Sequence, residues 1–332
     1  MNASPPSAES LRAALARLLD GLPPRQAARA VERLIANYRG TTPTDAPVLR
    51  DRSDVAAYAA YRMPATFEAV RGALYALRDA APDWEPRTHT DVGGGTGAAS
   101  WAVAEAWEDA PPHTTVLDWA EPALALGREL AAGALDAEWR TARIGGALRL
   151  AETDLVTVSY VLKELTEGDR TALVAEAARV AQTVVIVEPG TPDGYERIIA
   201  ARTLLVDAGF TVAAPCPHSG ACPIVPGTDW CHFAARVSRS SLHRQVKGGS
   251  LPYEDEKYSY VAATRFPVTP AVSRVTRRPQ IRKGQVLLDL CGPDGLARDT
   301  VTKRHGPLYK QARDAEWGDP WPPETSDDLG RP

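Results

Sequence analysis

Thr88-His-Thr-Asp91-Val-Gly93-Gly94-Gly95-Thr96-Gly97 runs directly into the helical pattern Ala98 to Trp107. The stretch reads as a strand, a glycine turn and a helix. Glycines let a backbone come close to a ligand, and a helix N-terminus offers unpaired N–H groups to it. Taken alone, such a loop also suits a dinucleotide.

The segments that follow repeat the unit. His113-Thr-Thr-Val-Leu-Asp118 reads as a second strand ending in a carboxylate that could accept hydrogen bonds from a ribose diol, with Glu121 as the alternative acceptor. Pro122 to Leu130 starts a helix with proline in its first turn. A third strand falls near Arg140 to Ile144, a fourth covers Asp154 to Ser159 with an exit through Tyr160, Lys163 and Glu164, and a fifth runs from Val184 to Glu188. Such strand–helix units in series predict a parallel α/β sheet that binds its ligand at the strand C-termini. The spacing Asp-x-Gly-x-Gly-x-Gly resembles motif I of class I S-adenosylmethionine-dependent methyltransferases more than the Gly-x-Gly-x-x-Gly of nicotinamide enzymes. That resemblance implies S-adenosylmethionine at Asp91, Gly93, Gly94, Gly95, Gly97, Asp118, Glu121 and Ser159. One position departs from the pattern: Ile144-Gly145-Gly146 stands where an acidic residue usually meets the adenine.

All four cysteines lie C-terminal to this core, in Cys216-Pro-His-Ser-Gly-Ala-Cys222-Pro, Trp230-Cys231-His and Leu290-Cys291-Gly-Pro-Asp-Gly. Four thiols with no spare, two Cys-Pro steps and glycine turns read as one four-ligand metal site. Disulfides are disfavoured, because the sequence opens without an apolar signal segment and is too long to need stapling. Both zinc and a [4Fe–4S] cluster take four thiolates. The irregular gaps and the prolines after cysteine favour the cluster, with zinc as the alternative. His218 and His232 could substitute in a mixed site or donate to sulfur.

The net charge of -4 hides a segregation of sign. From His232 to Arg313 there are 16 Lys and Arg against 6 Asp and Glu, and elsewhere 22 against 36. Domain-scale separation of this kind is the electrostatic footprint of a polyanion binder, although a basic face can also be merely solvated. Arg274, Arg277, Arg278, Arg282, Lys283, Lys303 and Arg304 are the candidate RNA contacts. No stretch approaches 18 apolar residues, and no basic amphipathic leader precedes the core. The expectation is a soluble, cytoplasmic monomer without membrane contact.

Further stretches complete the picture: Tyr61-Arg-Met-Pro-Ala-Thr, Glu188-Pro-Gly-Thr-Pro, Asp229-Trp-Cys-His-Phe, Leu251-Pro-Tyr-Glu-Asp-Glu-Lys-Tyr-Ser-Tyr and Tyr309-Lys-Gln-Ala-Arg-Asp-Ala-Glu-Trp-Gly-Asp. With the glycine loop and Cys216-Pro-His, they make residues 35 to 320 resemble the ribosome small-subunit methyltransferase-like family. Its mitochondrial members assist assembly of the mitoribosomal small subunit, and its bacterial members are described as rRNA methyltransferases. The resemblance implies that Cys216, Cys222, Cys231 and Cys291 ligate a [4Fe–4S] cluster, and that the partner is small-subunit rRNA or a small-subunit precursor. Periodicity and the resemblance, which leaves out the extreme N-terminus and the acidic tail, together suggest four regions. Residues 1–80 are an N-terminal helical region, including patterns over Leu11 to Leu22, Arg25 to Tyr38 and Asp54 to Leu77, with Pro64 kinking or restarting the last. Residues 81–266 are a Rossmann-like methyltransferase domain with a cysteine-bearing insertion at 210–250. Residues 267–320 form a basic β-rich extension, and 321–332 a disordered tail.

Catalytic residues are not assignable. An Asn/Asp-Pro-Pro-Tyr-like loop is absent after strand four, where Ser159-Tyr160-Val161-Leu162 stands. Carbon-5 chemistry needs a free cysteine, but all four are assigned to the metal. Tyr160 and Glu164 are candidate bases, each with a structural reading beside it. Three classes stay open: an rRNA methyltransferase, a non-catalytic assembly and RNA-binding factor, and a small-molecule methyltransferase.

Overall fold

The structure is a computed structural model that describes residues 6–19, 31, 52–239 and 251–323. The helical pattern at Arg25 to Tyr38 and most of the tail lie outside the described residues. Two helices lead in, α1 (Ala8–Leu19) and α2 (Arg52–Ala80). On α2, Met63, Phe67, Val70, Leu74 and Leu77 are all 2 % exposed or less and recur every three or four residues. That spacing makes one buried stripe. The helix is continuous through Pro64 rather than restarted there, although proline leaves the carbonyl of Ala60 without its usual donor.

Then come β1 (Thr88–Val92), α3 (Ala98–Ala106), β2 (His113–Asp118), α4 (Glu121–Ala131), β3 (Ala137–Thr141), β4 (Thr153–Ser159), α5 (Glu167–Val180) and β5 (Ala181–Pro189). The pairings among these strands are parallel. Parallel strands need crossovers, so helices cover the sheet and the strands become apolar runs. Val184, Val185, Ile186 and Val187 are all fully buried. After α6 (Pro192–Asp207), the strands β6 (Thr211–Ala214), β7 (Phe233–Ser238) and β8 (Tyr253–Thr264) complete the sheet. Its order is β3-β2-β1-β4-β5-β8-β6, with β8 antiparallel to β5 and β6, and β7 paired to the first half of β8. The chain moves outward from β1 to β3 and then returns to β4. The crevice therefore opens at the C-terminal ends of β1 and β4.

A second sheet follows, built from β9 (Ser273–Val275), β10 (Gln280–Arg282), β11 (Gln285–Gly292), β12 (Gly295–Thr302) and β13 (Pro320–Trp321), with α7 (Pro307–Asp314) before its last strand. Val275, Val286, Leu288 and Trp321 are among its own core. Trp321 is 4 % exposed and pairs with Ser273. Trp321, the first residue of the expected tail, is thus part of β13, where its indole is buried.

A polar chain crosses the core of the main sheet. Asp91 accepts hydrogen bonds from Thr157 Oγ1 (2.9 Å) and from Ser100 Oγ (2.9 Å). With its proton given to Asp91, Thr157 Oγ1 accepts from His89 Nε2 at 2.8 Å, and His89 Nδ1 accepts from Thr114 Oγ1 at 3.1 Å. The network fixes the tautomer. Burial pushes the His89 pKa down from 6.5 to about 3. The unfolded chain therefore binds a proton in that window and the native chain does not. This stability is complete above pH 6.5 and falls as pH drops, by on the order of 5 kcal/mol in total. Urea unfolding of His89→Gln between pH 4 and 7 is expected to show a flatter loss of stability toward acid, by close to one proton. An unchanged slope would assign the titration elsewhere.

Candidate functional site

The glycine stretch sits at the crevice, and its glycines differ in what they face. A Cβ at Gly93 would stand 2.3 Å from Val161 Cγ2, one at Gly94 2.6 Å from Val116, and one at Gly97 2.6 Å from Trp139. Those three make room for the protein itself. At Gly95, with φ +54°, the nearest atom to an added Cβ is Asp118 Oδ2 at 3.7 Å. Gly95 is the open position of the four, and the one whose missing side chain leaves space for a ligand.

Carboxylates rim this edge. Asp91 is fully buried and spent on Ser100 and Thr157, so it holds the loop rather than faces the crevice; burial raises its pKa to about 6 against those bonds. Asp118, 9 % exposed, accepts from Gly95 N (2.9 Å) and Ala120 N (2.8 Å), and burial raises its pKa despite these donors. Exposed Glu121 accepts from Thr141 Oγ1 at 2.7 Å. Ser159 Oγ is buried without a hydrogen-bond partner. Glu164 reaches solvent from the short turn Leu162–Glu164. Desolvation first, then the charges of Asp118 and Glu188, push its carboxyl up to about 7. An edge so rich in carboxylates repels phosphates and suits a cation.

Of the two candidate bases at the exit of β4, Tyr160 does not stand free. Burial, and then the negative charge of Glu256, raise Tyr160 well above its usual range, and its hydroxyl donates to Glu256 Oε1 at 3.0 Å. It is a neutral donor, not a base. Ile144 packs over Gly93 in place of the missing acidic residue.

The four cysteines, spread from the end of β6 to β11, line one cavity of about 580 Å³ counted to its open mouth. All four are free thiols. Burial is the main reason that Cys216 and Cys231 are raised and that Cys291 is pushed up to about 12. Tyr195 on α6 lies 3.2 Å from Cys222 Sγ through its hydroxyl. The same wall holds two buried guanidiniums. Arg202, 4 % exposed, donates to the carbonyls of His218 (2.8 Å) and Gly220 (2.7 Å), and its Nε has no partner. Arg274, 5 % exposed, donates to Pro215 O (3.0 Å) and Gly318 O (3.0 Å). Among the described residues neither pairs with a carboxylate. His218 Nε2 and His232 Nδ1 are likewise buried and unpartnered, with His232 stacked on Trp230. The donor set is thiols inside a shell of unspent donors and positive charge, which fits a thiolate-bound group of net negative charge. As the side chains stand, no group of three or more His, Cys, Asp or Glu among the described residues is arranged to hold a metal ion.

The basic residues divide. Arg274 is corrected from RNA contact to cavity wall, since a buried guanidinium bonded to carbonyls cannot meet a phosphate. Arg277 is partly spent on Asp229 and on the carbonyls of Thr276 and Trp230. Arg278, Arg282, Lys283, Lys303 and Arg304 are exposed. The register of β10, β11 and β12 sets Arg282 across from Gln285 and Gln285 across from Thr302, and Lys303 N donates to Gly284 O at 3.2 Å. Arg282, Lys283, Lys303 and Arg304 therefore meet at one tip of the extension. Sequence reasoning missed Arg202, Tyr195 and the Glu256 contact of Tyr160. Nothing local marks these positions.

Strand order, switch-point crevice and glycine loop define a class I methyltransferase, Rossmann-like α/β fold. The chain belongs to the Rsm22 family: the family described as mitochondrial small ribosomal subunit Rsm22 matches residues 52–322. The human ribosome assembly protein METTL17, mitochondrial, is 29 % identical over 304 residues, covering 82 % of this chain and 65 % of the human protein. The Rsm22-cox11 tandem protein 2, mitochondrial, of Schizosaccharomyces pombe is 29 % identical over 184 residues, 42 % of this chain and 24 % of that protein. The chain thus spans less than two thirds of the curated relatives it matches. No helix among the described residues is long and apolar enough to cross a membrane.

Gly95 gives a test of the open position. Asparagine tolerates its left-handed backbone. Gly95→Asn is therefore expected to keep the thermal midpoint near that of the unaltered chain while removing S-adenosylmethionine binding in calorimetry. Gly94→Ala, which drives a methyl into Val116 and Asp91, is expected to lose stability by roughly 1–3 kcal/mol. Retained binding in Gly95→Asn would place the ligand elsewhere.

Proposed function

We propose that this chain is a small-ribosomal-subunit assembly protein that binds S-adenosylmethionine at the glycine edge, carries a [4Fe–4S] cluster on Cys216, Cys222, Cys231 and Cys291, and holds small-subunit rRNA with its basic extension. The observation that carries the proposal is the convergence of four cysteines from β6 through β11 on a cavity walled by two arginines without carboxylate partners. Bound iron would supply the positive centre that turns these neutral thiols into thiolates, and Arg202 and Arg274 would offset the resulting net negative charge. The irregular gaps between the cysteines and the prolines after Cys216 and Cys222 favour the cluster over zinc.

The relatives' names support the ribosomal setting. Human METTL17 is named a ribosome assembly protein, and the family is named for the mitochondrial small subunit. Cys291 lies on β11, at the opposite end of that strand from the basic tip, so a cluster would tie the RNA-facing extension to the methyltransferase sheet. Metal ligation of that kind can supply folding free energy on the order of 10 kcal/mol. At the cofactor edge, the carboxylates favour the cationic sulfonium over a nicotinamide dinucleotide.

Assembly factor is the first reading, since Tyr160 is neutral and tied to Glu256. The second reading, a methyltransferase acting on the rRNA, is favoured by one observation: Glu164 stands exposed on the turn that follows β4, where desolvation and the charges of Asp118 and Glu188 push its carboxyl upward. Crosslinking to RNA in cells, with methylation mapped at the crosslinked sites in a deletion strain, separates the two. Loss of a methyl mark would establish the enzyme.

Anaerobically purified protein is expected to be brown, with iron and sulfide in equal amounts, and Cys291→Ser is expected to lose both colour and stability. Zinc without iron would overturn the cluster. Affinity for small-subunit rRNA is expected to fall with salt at a log–log slope of about -0.7 to -0.9 per phosphate neutralised. Charge reversal at Arg282, Lys283, Lys303 and Arg304 should flatten that slope while sparing cofactor binding. Because Glu164 is ionised only above its pKa of about 7, S-adenosylmethionine should bind more tightly as pH rises from 6 to 8. S-adenosylhomocysteine, lacking the sulfonium charge, should show a smaller gain.

A further inference from the structure

The stretch Tyr61 to Thr66 has no role in the sites described so far. It lies in the middle of α2, where one turn of helix reaches two parts of the crevice. Arg62 forks onto Glu256 of β8, with Nη1 to Oε2 at 3.0 Å. Tyr160 donates its hydroxyl to Glu256 Oε1 at 3.0 Å, and the Arg62 guanidinium carbon lies 4.8 Å from the Tyr160 ring centroid. The next residue, Met63, accepts at its sulfur from Thr96 Oγ1 of the glycine stretch at 3.5 Å.

Tyr160 is the non-glycine residue at positive φ among the described residues, at +62°. A bulky side chain keeps that conformation only where its surroundings over-determine it. Here they do so from three sides: the backbone N–H bonds Val187 O at 2.8 Å, the hydroxyl is held by Glu256, and Arg62 covers the ring. The left-handed turn aims the following residue, Val161, onto Gly93, at the point where a Cβ would stand 2.3 Å away. Gly93 in turn donates to Leu117 O at 2.7 Å, next to Asp118. A continuous line of contacts runs from Arg62 through Glu256, Tyr160 and Val161 to the loop that Gly95 leaves open. Arg62 and Glu256 neutralise each other, so the clamp shapes the crevice without offering it a charge.

We propose that Arg62, Glu256 and Tyr160 form a clamp that fixes the floor of the cofactor crevice, and that all three are positioning residues for S-adenosylmethionine, an inference that rests on the cofactor reading above. The clamp is needed because Tyr160 would otherwise leave its left-handed conformation and swing Val161 off Gly93. Glycine populates that conformation freely and would not need the clamp.

The test is a double-mutant cycle on the full chain, with S-adenosylmethionine and S-adenosylhomocysteine affinities read by calorimetry and the thermal midpoint read beside them. Arg62→Met is expected to weaken both ligands roughly tenfold, but less than about threefold in the Tyr160→Gly background. Equal losses in the two backgrounds, as from general destabilisation, would overturn the clamp. Should Arg62→Met fail to fold, Tyr160→Phe removes only the bond to Glu256 and is expected to weaken both ligands several-fold; unchanged affinity there also overturns it. If the unaltered chain binds neither ligand, the cofactor reading falls and the clamp with it. Binding by the unaltered chain with unmoved variants sinks the clamp alone.

Discussion

Glu188, with no exposed surface, lies one residue before the end of β5 and accepts from Arg197 Nε of α6 at 2.6 Å and from Leu162 N at 3.0 Å. Leu162 opens the short turn that follows β4, so a single carboxylate sets the distance between the crevice and α6. Burying an ion costs several kcal/mol unless it is paired and its remaining lone pairs are bonded, and both conditions are met here. The joint it occupies leaves no slack. A Cβ at Gly194 would stand 1.9 Å from Pro189 O, and one at Gly190 2.7 Å from Tyr258 N. Glu188-Pro-Gly-Thr-Pro is therefore a rigid joint under tight geometric demand.

From that joint α6 reaches the cysteine cavity. Tyr195 stands one turn in, against Cys222, and Arg202 two turns further on, under the loop between Cys216 and Cys222. Trp230 adds a second tie by donating to Gly190 O at 3.0 Å, one residue before Cys231. The crevice and the cavity thus share one helix and one turn. The extension joins the same cavity through Cys291 and Arg274, which face each other across β11 and β9. The placement of the cavity makes it the seam between the methyltransferase sheet and the second sheet.

Charge of opposite sign gathers at two separate parts of the structure. Carboxylates gather at the strand ends around Gly95, whereas cations gather at the tip made by Arg282, Lys283, Lys303 and Arg304. A polyanion is repelled from the first and drawn to the second. The same separation explains why Arg274 and Arg277, although in the basic run, serve the fold: both lie at the seam.

Much was legible in the linear chain. The strand, turn and helix from Thr88 to Trp107 are a local pattern whose spacing dictates a parallel α/β unit, and repetition of that unit dictates the sheet. The cysteine positions and the segregation of charge are likewise properties of composition and spacing. What the sequence could not decide is which members of a run point where. Arg274 and Arg278 lie four residues apart, yet one is buried under Pro215 and Gly318 and the other is exposed. Nor could it show that Gly95 alone of four glycines faces open space, or that Arg62 and Glu256, 194 residues apart, meet over Tyr160. Spacing along a chain encodes the period of helix and strand. Contacts between distant residues depend on how the elements pack and which atoms that packing excludes from water, and this is settled only when the whole core closes.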